Sequence, residues 1–436
     1  MKLRDLLGID FLLLFSAVML TIFGVLFIYS SGVSSSGEIV SYEYVRQIIW
    51  GAAGLIIALF LSLLNYRRVY HFALYMYIAT LIMLLYTCLA GREISGTRAW
   101  IGLGSLGIQP SEFAKITTII FLAQYLDMTR RAEHHLKRFL IACIIVFAPM
   151  MLVLIQPDFG TSLVFIPILA VMTFIAGVKI RYILFLALTI ALSSIILIVP
   201  YWQKIILKTS TIGFIMLGNF RFIVFILSGL ALITGIAVYG FIRRKKLYFY
   251  WICYSSLVLM SSFVVSFGAS KALKEYQINR LVVFIDPYID PRGAGWHIIQ
   301  SITAVGSGGA LGKGFLQGTQ SHYRFLPTQS TDFIFSIFSE EWGFLGGILL
   351  FILVLTLCLR LVKIMRSTAD PFGCYITAGL AAMYSFHFVI NVGMAMGIMP
   401  ITGIPLLFMS YGGSALLSAM AGVGLALSVH IRRYQF

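Results

Sequence analysis

The sequence predicts an all-α fold, a polytopic transmembrane helical bundle with about twelve spans. Three observations predict it: 60% of the 436 residues are hydrophobic, only 11% are charged, and the mean hydropathy is +0.96. A soluble domain has about 25% charged residues. This chain therefore lacks the polar side chains that would cover a soluble globule of its size, and a soluble enzyme is excluded.

The individual spans follow from length and apolarity. A spanning helix needs about 20 mostly apolar residues, because each residue rises about 1.5 Å through a hydrocarbon core about 30 Å thick. The run after Met1-Lys2-Leu3-Arg4 is too long for a signal peptide and has no small-residue cleavage site, which predicts a retained anchor. Twelve segments qualify as spans: 9–30, 46–64, 70–90, 110–126, 139–156, 161–177, 180–201, 218–241, 247–268, 333–359, 374–394 and 405–430.

The placement of lysine and arginine predicts the orientation. With the N-terminus inside, 19 of the 32 basic residues fall in short loops and tails on one side, which predicts cytoplasmic N- and C-termini. The net charge of +16 is then mainly a topology signal. Membrane lipids are the expected surroundings. A nucleic-acid partner is not expected, since it would need a soluble basic face.

Three stretches on the opposite, extracytoplasmic side are long: 31–45, 91–109 and 269–333. Loops longer than about 15 residues are usually functional or disordered, and we place the function in the third, which contains Asp290. Asp286-Pro287 and Asp290-Pro291 are also typical of Asx turns. Residues 306–314 are glycine-rich but fail the P-loop pattern. Their glycines would still let backbone N–H groups approach a phosphate.

Charged groups at membrane depth are costly and are functional candidates by default. Pro110 suits the first turn of a helix, and Glu112 and Lys115 can then pair on one face. Lys115 either forms a structural ion pair there or offers its ammonium to an anionic substrate. Asp158 is expected to cap the next helix.

A further polar cluster precedes the span at 333–359. Ser330, Thr331 and Asp332 are ordinary N-cap residues. Glu340 would lie about 12 Å deeper and must be paired, hydrated or protonated. A structural role and a place on a substrate path both stay open for Glu340. The five cysteines and seven histidines form no metal-binding pattern, so no metal ligands are assigned.

Seven motifs occur along most of the chain in the order of one known family. They are GTRAWIGLGSLGIQPSEFAK (96–115), QPDFGTS (156–162), DPYIDPRGAGWHIIQS (286–301), AVGSGGALGKGFLQGTQS (304–321), FLPTQSTDFIF (325–335), EEWGFLG (340–346) and GIMPITGIPLLFMSYGGS (397–414). Together they resemble the SEDS family (shape, elongation, division and sporulation proteins), and its cell-elongation branch in particular.

The resemblance implies a peptidoglycan glycosyltransferase that polymerises lipid II into β-1,4-linked glycan strands for rod-shaped growth. The reaction would take place on the outer face of the bacterial cytoplasmic membrane, with a class B penicillin-binding protein as partner. The family's essential loop aspartate maps onto Asp290, and its matching lysine and acid map onto Lys115 and Glu112. One integral membrane domain, 1–436, is implied, with a core of about ten spans and two added helices at about 218–268.

Such a reaction inverts an α-linked pyrophosphate donor, so a single in-line displacement is expected. Asp290 is then the candidate general base on the acceptor hydroxyl. No organic cofactor is expected, although a divalent cation, Mg²⁺ or Mn²⁺, could assist at the pyrophosphate. The candidate substrate-binding residues are Lys115, Glu112, Arg98, Arg280, Arg292, Lys313 and Asp332.

Two alternative functions stay open. A flippase or transporter for lipid-linked cell-wall precursors would form no glycosidic bond and would be sensitive at buried charges such as Arg221 and Glu340. The absence of a clear internal repeat disfavours it. A non-catalytic scaffold for a penicillin-binding protein would tolerate changes at Asp290.

Overall fold

The fold consists of α-helices and one β-hairpin in the computed structural model. The structure describes residues 8–94, 97–102, 107–131, 133–202, 220–272, 275–291, 293–326 and 328–434. The elements are α1 (Phe11–Ser31), α2 (Glu43–Leu63), α3 (Tyr66–Ala90), β1 (Arg92–Ile94), β2 (Thr97–Trp100), α4 (Pro110–Met128), α5 (His135–Ile155), α6 (Phe159–Leu163), α7 (Phe165–Ile175), α8 (Ile180–Trp202), α9 (Phe220–Arg244), α10 (Leu247–Ala272), α11 (Glu275–Ile285), a 3₁₀ turn (Pro287–Ile289), α12 (Ala294–Ser307), α13 (Thr319–His322), α14 (Ile334–Ser367), α15 (Pro371–Ala395) and α16 (Gly413–Ile431).

Helices lie at all twelve predicted positions, which confirms a polytopic helical membrane fold. Within the described residues, ten are long and apolar enough to cross a membrane. The other two positions are α4 and the shorter apolar stretch Phe159–Ile175. Three charged residues lower the apolarity of α4, and two of them, Glu112 and Lys115, are buried inside the protein. The exact number of crossings stays a prediction.

The predicted start of the last span is wrong. The segment 405–430 was expected to be helical throughout, whereas α16 begins only at Gly413. Gly397 and Gly403 adopt φ values of +73° and +72°, a left-handed conformation that interrupts a helix. Pro405 adds a residue without an N–H donor. The residues before α16 therefore form an irregular segment, 397–412.

The predicted N-cap of α14 is also wrong. Phe333 occupies that position, and its side chain makes no capping bond. The backbone before it pairs with the irregular segment instead: Tyr411 N donates to Ser330 O at 2.7 Å, and Ser410 Oγ donates to Thr331 O at 2.5 Å. Tertiary hydrogen bonds thus replace local capping.

The long stretch 269–333 contains more regular structure than a loop. It holds the end of α10 and the whole of α11, α12 and α13. Parts of it are packed, since Val282, Val283 and Ile298 are buried. The stretch is therefore partly folded rather than being an open loop throughout.

The chain divides into two compact units, Met1–Val178 with His297–Phe436, and Lys179–Trp296. In the first unit α1 packs against α14, α2 against α16, and α4 against both α3 and α15. In the second unit α10 packs against both α8 and α9. A Cβ at Gly424 would lie 2.6 Å from Ala58 O, so α2 and α16 pack closely through small residues, as membrane helices do.

Charged groups tie helix ends together within the first unit. Arg360 Nε donates to both Asp10 oxygens at 2.8 and 2.9 Å, which joins the end of α14 to the start of α1. Arg67 Nη2 lies 2.9 Å from Asp370 Oδ1 and joins the starts of α3 and α15. Arg138 donates to the carbonyls of Leu126 and Ala176 at 2.7 and 2.8 Å. The sequence places all of these basic residues on the cytoplasmic side, and that orientation stays a prediction.

Candidate functional site

A buried ion pair lies in the first two turns of helix α4. Pro110 occupies the first helical position, and Glu112 and Lys115 follow on one face, as predicted. Lys115 Nζ lies 2.8 Å from Glu112 Oε2 and 2.9 Å from Oε1. Lys115 is 0% exposed and Glu112 is 2% exposed. Because an unpaired charge at this depth would cost several kcal/mol, the pairing accounts for the burial of both groups.

His387 completes this pair from helix α15. Its Nε2 lies 3.1 Å from Lys115 Nζ, and its Nδ1 lies 3.0 Å from Pro405 O. A carbonyl only accepts, so the ring proton is on Nδ1 and Nε2 accepts from the ammonium. Sequence reasoning missed His387, which stands alone in an apolar helix 272 residues after Lys115. The one feature of the sequence that could have indicated His387 is that a polar residue lies in the middle of a predicted span.

One helical turn further along α15, Asn391 binds both the residues before α14 and the irregular segment 397–412. Its Nδ2 donates to Asp332 O at 2.9 Å and to Ile404 O at 2.8 Å. His387 and Asn391 therefore bind consecutive carbonyls of the irregular segment, Pro405 and Ile404. The predicted substrate-binding residue Asp332 is half-buried here, and its main chain is fixed by α15.

Helix α14 is interrupted at Gly343, where φ is +62° and ψ is −157°. The glycine-rich stretch 306–314 fills the break: Lys313 N and Gly314 N each donate at 3.0 Å to the carbonyls of Glu340 and Glu341. Phe344 N donates in return to Gly309 O at 2.9 Å. The glycines thus permit close approach to a helix backbone, rather than providing free N–H groups for a phosphate.

The two acidic residues beside the break have separate partners. Glu340 is fully buried and accepts from Lys313 Nζ at 2.7 Å, Thr319 N at 2.9 Å and Gln320 N at 3.0 Å. Its carboxylate therefore binds the start of α13 and the predicted cation Lys313, whose side chain is 28% exposed. The requirement that Glu340 be paired at this depth is confirmed, and its part in a substrate path stays a prediction.

Glu341 joins α14 to α1 and to the stretch before α13. It accepts from Ser30 Oγ and, at 3.2 Å, from Leu316 N. His322 Nε2 lies 3.9 Å away, while its Nδ1 contacts Val33 O at 2.8 Å. The two adjacent acids therefore bind different parts of the stretch 313–320: Glu340 binds its two ends, and Glu341 binds Leu316 between them.

The second predicted loop forms a β-hairpin next to α4. β1 and β2 pair antiparallel, with Glu93 opposite Arg98, and the Arg98 side chain is exposed. Gln109 Nε2 donates to Asp158 Oδ2 at 2.9 Å. Asp158 Oδ1 accepts from Thr161 N at 3.0 Å, which confirms its predicted capping role. Burial raises the pKa of the Asp158 carboxyl, and the Thr161 donors oppose this shift.

Asp290 lies in the second unit, in the turn after the 3₁₀ segment. Its carboxylate is exposed, and its carbonyl accepts from Gly295 N at 3.0 Å. A Cβ at Gly293 would overlap the Asp290 carboxylate, so a larger residue at this position would displace that side chain. Asp286 Oδ1 accepts from Tyr288 N at 3.0 Å, which confirms the predicted Asx turn there.

The other predicted cations are distributed between the units. Arg280 is half-buried on α11 in the second unit, and Lys115, Arg98 and Lys313 lie in the first. Arg292 lies outside the described residues. The structure groups Lys115 with Glu112, and Lys313 with Glu340.

An apolar cavity of about 730 Å³ runs along α14 from Ser339 to Cys358. Its wall includes Gly309 and the break at Gly343, and α15 forms the other side through Phe388 and Val389. None of the described residues that line it is charged. Such a lining suits an apolar chain or helix and not a pyrophosphate.

Among the described residues, no group of three or more His, Cys, Asp or Glu side chains could hold a metal ion. A Mg²⁺ ion usually binds through one or two carboxylates together with substrate phosphates. A carboxylate such as that of Asp290 fits this kind of shared binding, and does not fit a cation held by the protein alone.

The fold and these groups define a polytopic membrane protein. It has charged side chains enclosed between its helices and an exposed aspartate, Asp290, in the partly helical stretch 269–333. A sequence profile of the FtsW/RodA/SpoVE family of cell cycle proteins matches residues 10–212 and 203–435. The chain belongs to this family.

Relatives and solved structures extend over nearly the whole length. The chain is 45% identical to the peptidoglycan glycosyltransferase RodA of Treponema pallidum, over 99% of this chain and 100% of the relative. It is 33% identical to the peptidoglycan glycosyltransferase MrdB of Escherichia coli, over 95% and 93%. A chain of a solved peptidoglycan synthase complex superposes with a TM-score of 0.68 at 28% identity, covering 98% and 99%. The RodA crystal structure from Thermus thermophilus has the same fold, with a TM-score of 0.61 at 24% identity and 98% of both chains covered.

Proposed function

We propose that this protein is a peptidoglycan glycosyltransferase that polymerises lipid II into β-1,4-linked glycan strands during cell elongation. The observation that carries the proposal is the full-length similarity, at 45% identity, to a relative with that named activity. The buried Glu112–Lys115 pair and the exposed Asp290 are the features of the structure that support it.

Asp290 acts in this proposal as the general base that takes the proton of the acceptor hydroxyl. Its carboxylate is exposed and therefore accessible to a sugar, and its turn is held by the Asp286 side chain before it and by Gly295 N after it. A base has to lie within hydrogen-bond reach of the proton that it removes. A hydrogen-bonded turn that carries an exposed aspartate can meet this requirement when the acceptor binds.

The leaving pyrophosphate needs positive charge. The exposed Arg98 and the partly exposed Lys313 are accessible to it, with Arg280 and Arg292 as further candidates. Lys115 is enclosed by Glu112 and His387, so direct contact with substrate would require α4 and α15 to separate. A divalent cation bound with the pyrophosphate would add charge at the leaving group.

We place the protein in the bacterial cytoplasmic membrane, with its active site on the extracytoplasmic side. The basic helix ends described above, including Arg67, Arg138 and Arg360, support this orientation through the positive-inside rule. A class B penicillin-binding protein is the proposed partner, which would cross-link the strands. The superposition on a chain of a peptidoglycan synthase complex supports such an assembly.

The test is lipid II polymerisation by the purified chain with its partner in detergent. We expect Asp290→Asn to lower the rate by at least about 100-fold, because general-base catalysis contributes about 10²–10⁴. Asp286→Asn is the matched control, since asparagine also forms Asx turns, and it should retain most of the rate.

The same assay separates the alternatives. A flippase forms no polymer in detergent, where no sealed bilayer exists. A scaffold supports the same polymer yield with Asp290→Asn as with the natural residue. Near-normal polymerisation by a folded Asp290→Asn protein would show that the assignment of the base is wrong.

A further inference from the structure

Six basic residues lie together at one end of the second unit. Lys179 and Arg181 stand at the start of α8, Arg243 and Arg244 at the end of α9, and Lys245 and Lys246 in the two-residue link to α10. Because α10 packs against both α8 and α9, their ends meet here. The contact is direct: Arg181 Nη1 donates to Tyr250 OH at 3.4 Å, and Tyr254 OH donates to Arg181 O at 2.8 Å.

Within the described part of the second unit, no carboxylate pairs with this basic end. The acidic residues of the second unit are Glu275, Asp286 and Asp290, and all follow the far end of α10. The first unit differs, since Arg67 and Arg360 pair with its own aspartates. Among the described residues, no salt bridge involves the turn Arg243–Lys246, whose four residues are all exposed. Like charges so close together repel one another and attract an anion.

The backbone of the turn supports a role for its charge. Lys245 has a φ of +49°, a left-handed conformation that glycine adopts at lower cost. Two guanidinium groups are also held over aromatic rings, Arg243 over Tyr239 at 5.5 Å and Arg181 over Tyr182 at 5.1 Å. A ring contact of this kind fixes the plane of the Arg243 guanidinium while its N–H groups can still bind an anion. Both terminal nitrogens of Arg181 already donate to the hydroxyls of Tyr250 and Tyr182.

The surroundings indicate what kind of anion. The helices below the turn have exposed apolar side chains, including Leu232 at 65%, Ile242 at 69% and Leu247 at 70%. Tyr248 and Trp251 are also exposed, and aromatic residues of this type gather at the membrane–water interface. A basic cluster directly beyond such residues lies at the depth of lipid headgroups. The same charges orient the helices during insertion, but afterwards they still need a counter-anion.

We propose that the basic turn Arg243–Lys246 binds the headgroup phosphate of an anionic phospholipid, with Arg181 adding positive charge from the start of α8. The phosphate contacts the guanidinium and ammonium groups, and the acyl chains lie along the exposed apolar faces of α9 and α10. This site is separate from the proposed glycosyltransferase function and does not depend on it.

The experiment uses the full-length protein in nanodiscs of phosphatidylcholine. About one lipid in five to ten is spin-labelled phosphatidylglycerol. We measure the fraction of immobilised label. In the variant with Arg243, Arg244, Lys245 and Lys246 all changed to Gln, we expect at least about tenfold weaker selectivity over labelled phosphatidylcholine, since each cation contributes about fivefold. Arg243→Lys/Arg244→Lys retains the charge and should retain the selectivity.

The matched control removes exposed cations of the first unit, through Arg68→Gln, Arg130→Gln and Arg131→Gln. An equal loss in this variant would show only a general charge effect and would overturn the proposal. Release of the lipid by millimolar inorganic phosphate in the natural protein would identify a soluble phosphate ligand and would also overturn it. Monodisperse size exclusion and an unchanged helical circular dichroism spectrum verify that each variant is folded.

Discussion

At the residue scale, the bonds of His387 show how the buried charge is held. The ring accepts from Lys115 and donates to Pro405 O, so it links α4 to the irregular segment through α15. With Glu112 as the second acceptor, the Lys115 ammonium is surrounded by protein groups. Of the two roles that the sequence left open for Lys115, the geometry therefore supports the structural ion pair.

A pair of substitutions at His387 tests this link. Glutamine can accept from Lys115 and donate to Pro405 O, whereas leucine can do neither. We expect His387→Leu to lower the free energy of unfolding by about 1–3 kcal/mol, because a buried N–H of Lys115 loses its acceptor. His387→Gln should lose less than half of that. The measurement is the apparent melting temperature in detergent, followed by size exclusion.

Polymerisation assays on the same proteins separate stability from positioning. If His387 positions the pair, His387→Leu lowers kcat at a temperature where the protein is fully folded, and His387→Gln restores it. Equal kcat in both variants would leave His387 with a purely structural role.

The sequence predicts the local part of this site and not the distant part. Glu112 and Lys115 are three residues apart, so helical geometry alone brings them together. His387 and Asn391 also share one helix face by spacing, but the groups that they bind lie in α4, before α14 and in the irregular segment. Those contacts depend on how the helices pack, which periodicity does not determine. Similarly, the tertiary bonds of Ser330 and Thr331 override the local signal for an N-cap.

At the element scale, the interruption of α14 is the least predictable feature of the fold. The apolar pattern indicated one continuous span at 333–359, because a single glycine inside a helix is tolerated at modest cost. The break exists because the stretch 306–314 supplies hydrogen-bond partners for the interrupted backbone. The glycines of residues 306–314 resemble those of a phosphate-binding loop for a related reason. Binding a phosphate and packing against a helix backbone both require a close approach of the main chain.

Gly343→Ala tests the break. A Cβ there would overlap Gly312 N, and the backbone has a conformation that is essentially restricted to glycine. We expect a loss of about 1–3 kcal/mol or more in the free energy of unfolding, measured as a lower apparent melting temperature in detergent.

Gly347→Ala is the control for this prediction, because it lies in the same helix with nothing within 4 Å of the added Cβ. Alanine there should be neutral or stabilising by up to about 1 kcal/mol. Equal melting temperatures for the two alanine variants would contradict the assignment of strain to Gly343.

At the scale of the whole molecule, composition predicted the class of fold and the approximate positions of twelve helical segments, because each span has to be apolar on its own. Which helices would become neighbours was not predictable. The pairing of α1 with α14 depends on Asp10 and Arg360, which are 350 residues apart. Neither residue carries a local signal of its partner.

Asp10 has two roles that can be separated. It caps α1 by accepting from Leu13 N at 3.2 Å, and it binds Arg360. Asparagine is an equally good N-cap, so Asp10→Asn removes only the charge. We expect Asp10→Asn to cost about 1–3 kcal/mol through the charged hydrogen bonds, and Asp10→Ala to cost about 1 kcal/mol more. Apparent melting temperatures of both variants check the order, and an Asp10→Asn protein as stable as the natural one would show that the ion pair contributes nothing.

The contacts of α1 with α14 also have a consequence for biosynthesis. Ser30 meets Glu341 near one end of α1, and Asp10 meets Arg360 at the other. At about 5–20 residues per second, the ribosome takes roughly 20–70 s to make the partner after α1 has entered the membrane. During that interval the polar side chains of Asp10 and Ser30 face lipid or the insertion machinery. Helix α1 can therefore form its native contacts with α14 only after the tenth predicted span has been synthesised. Until then, its polar side chains need other partners.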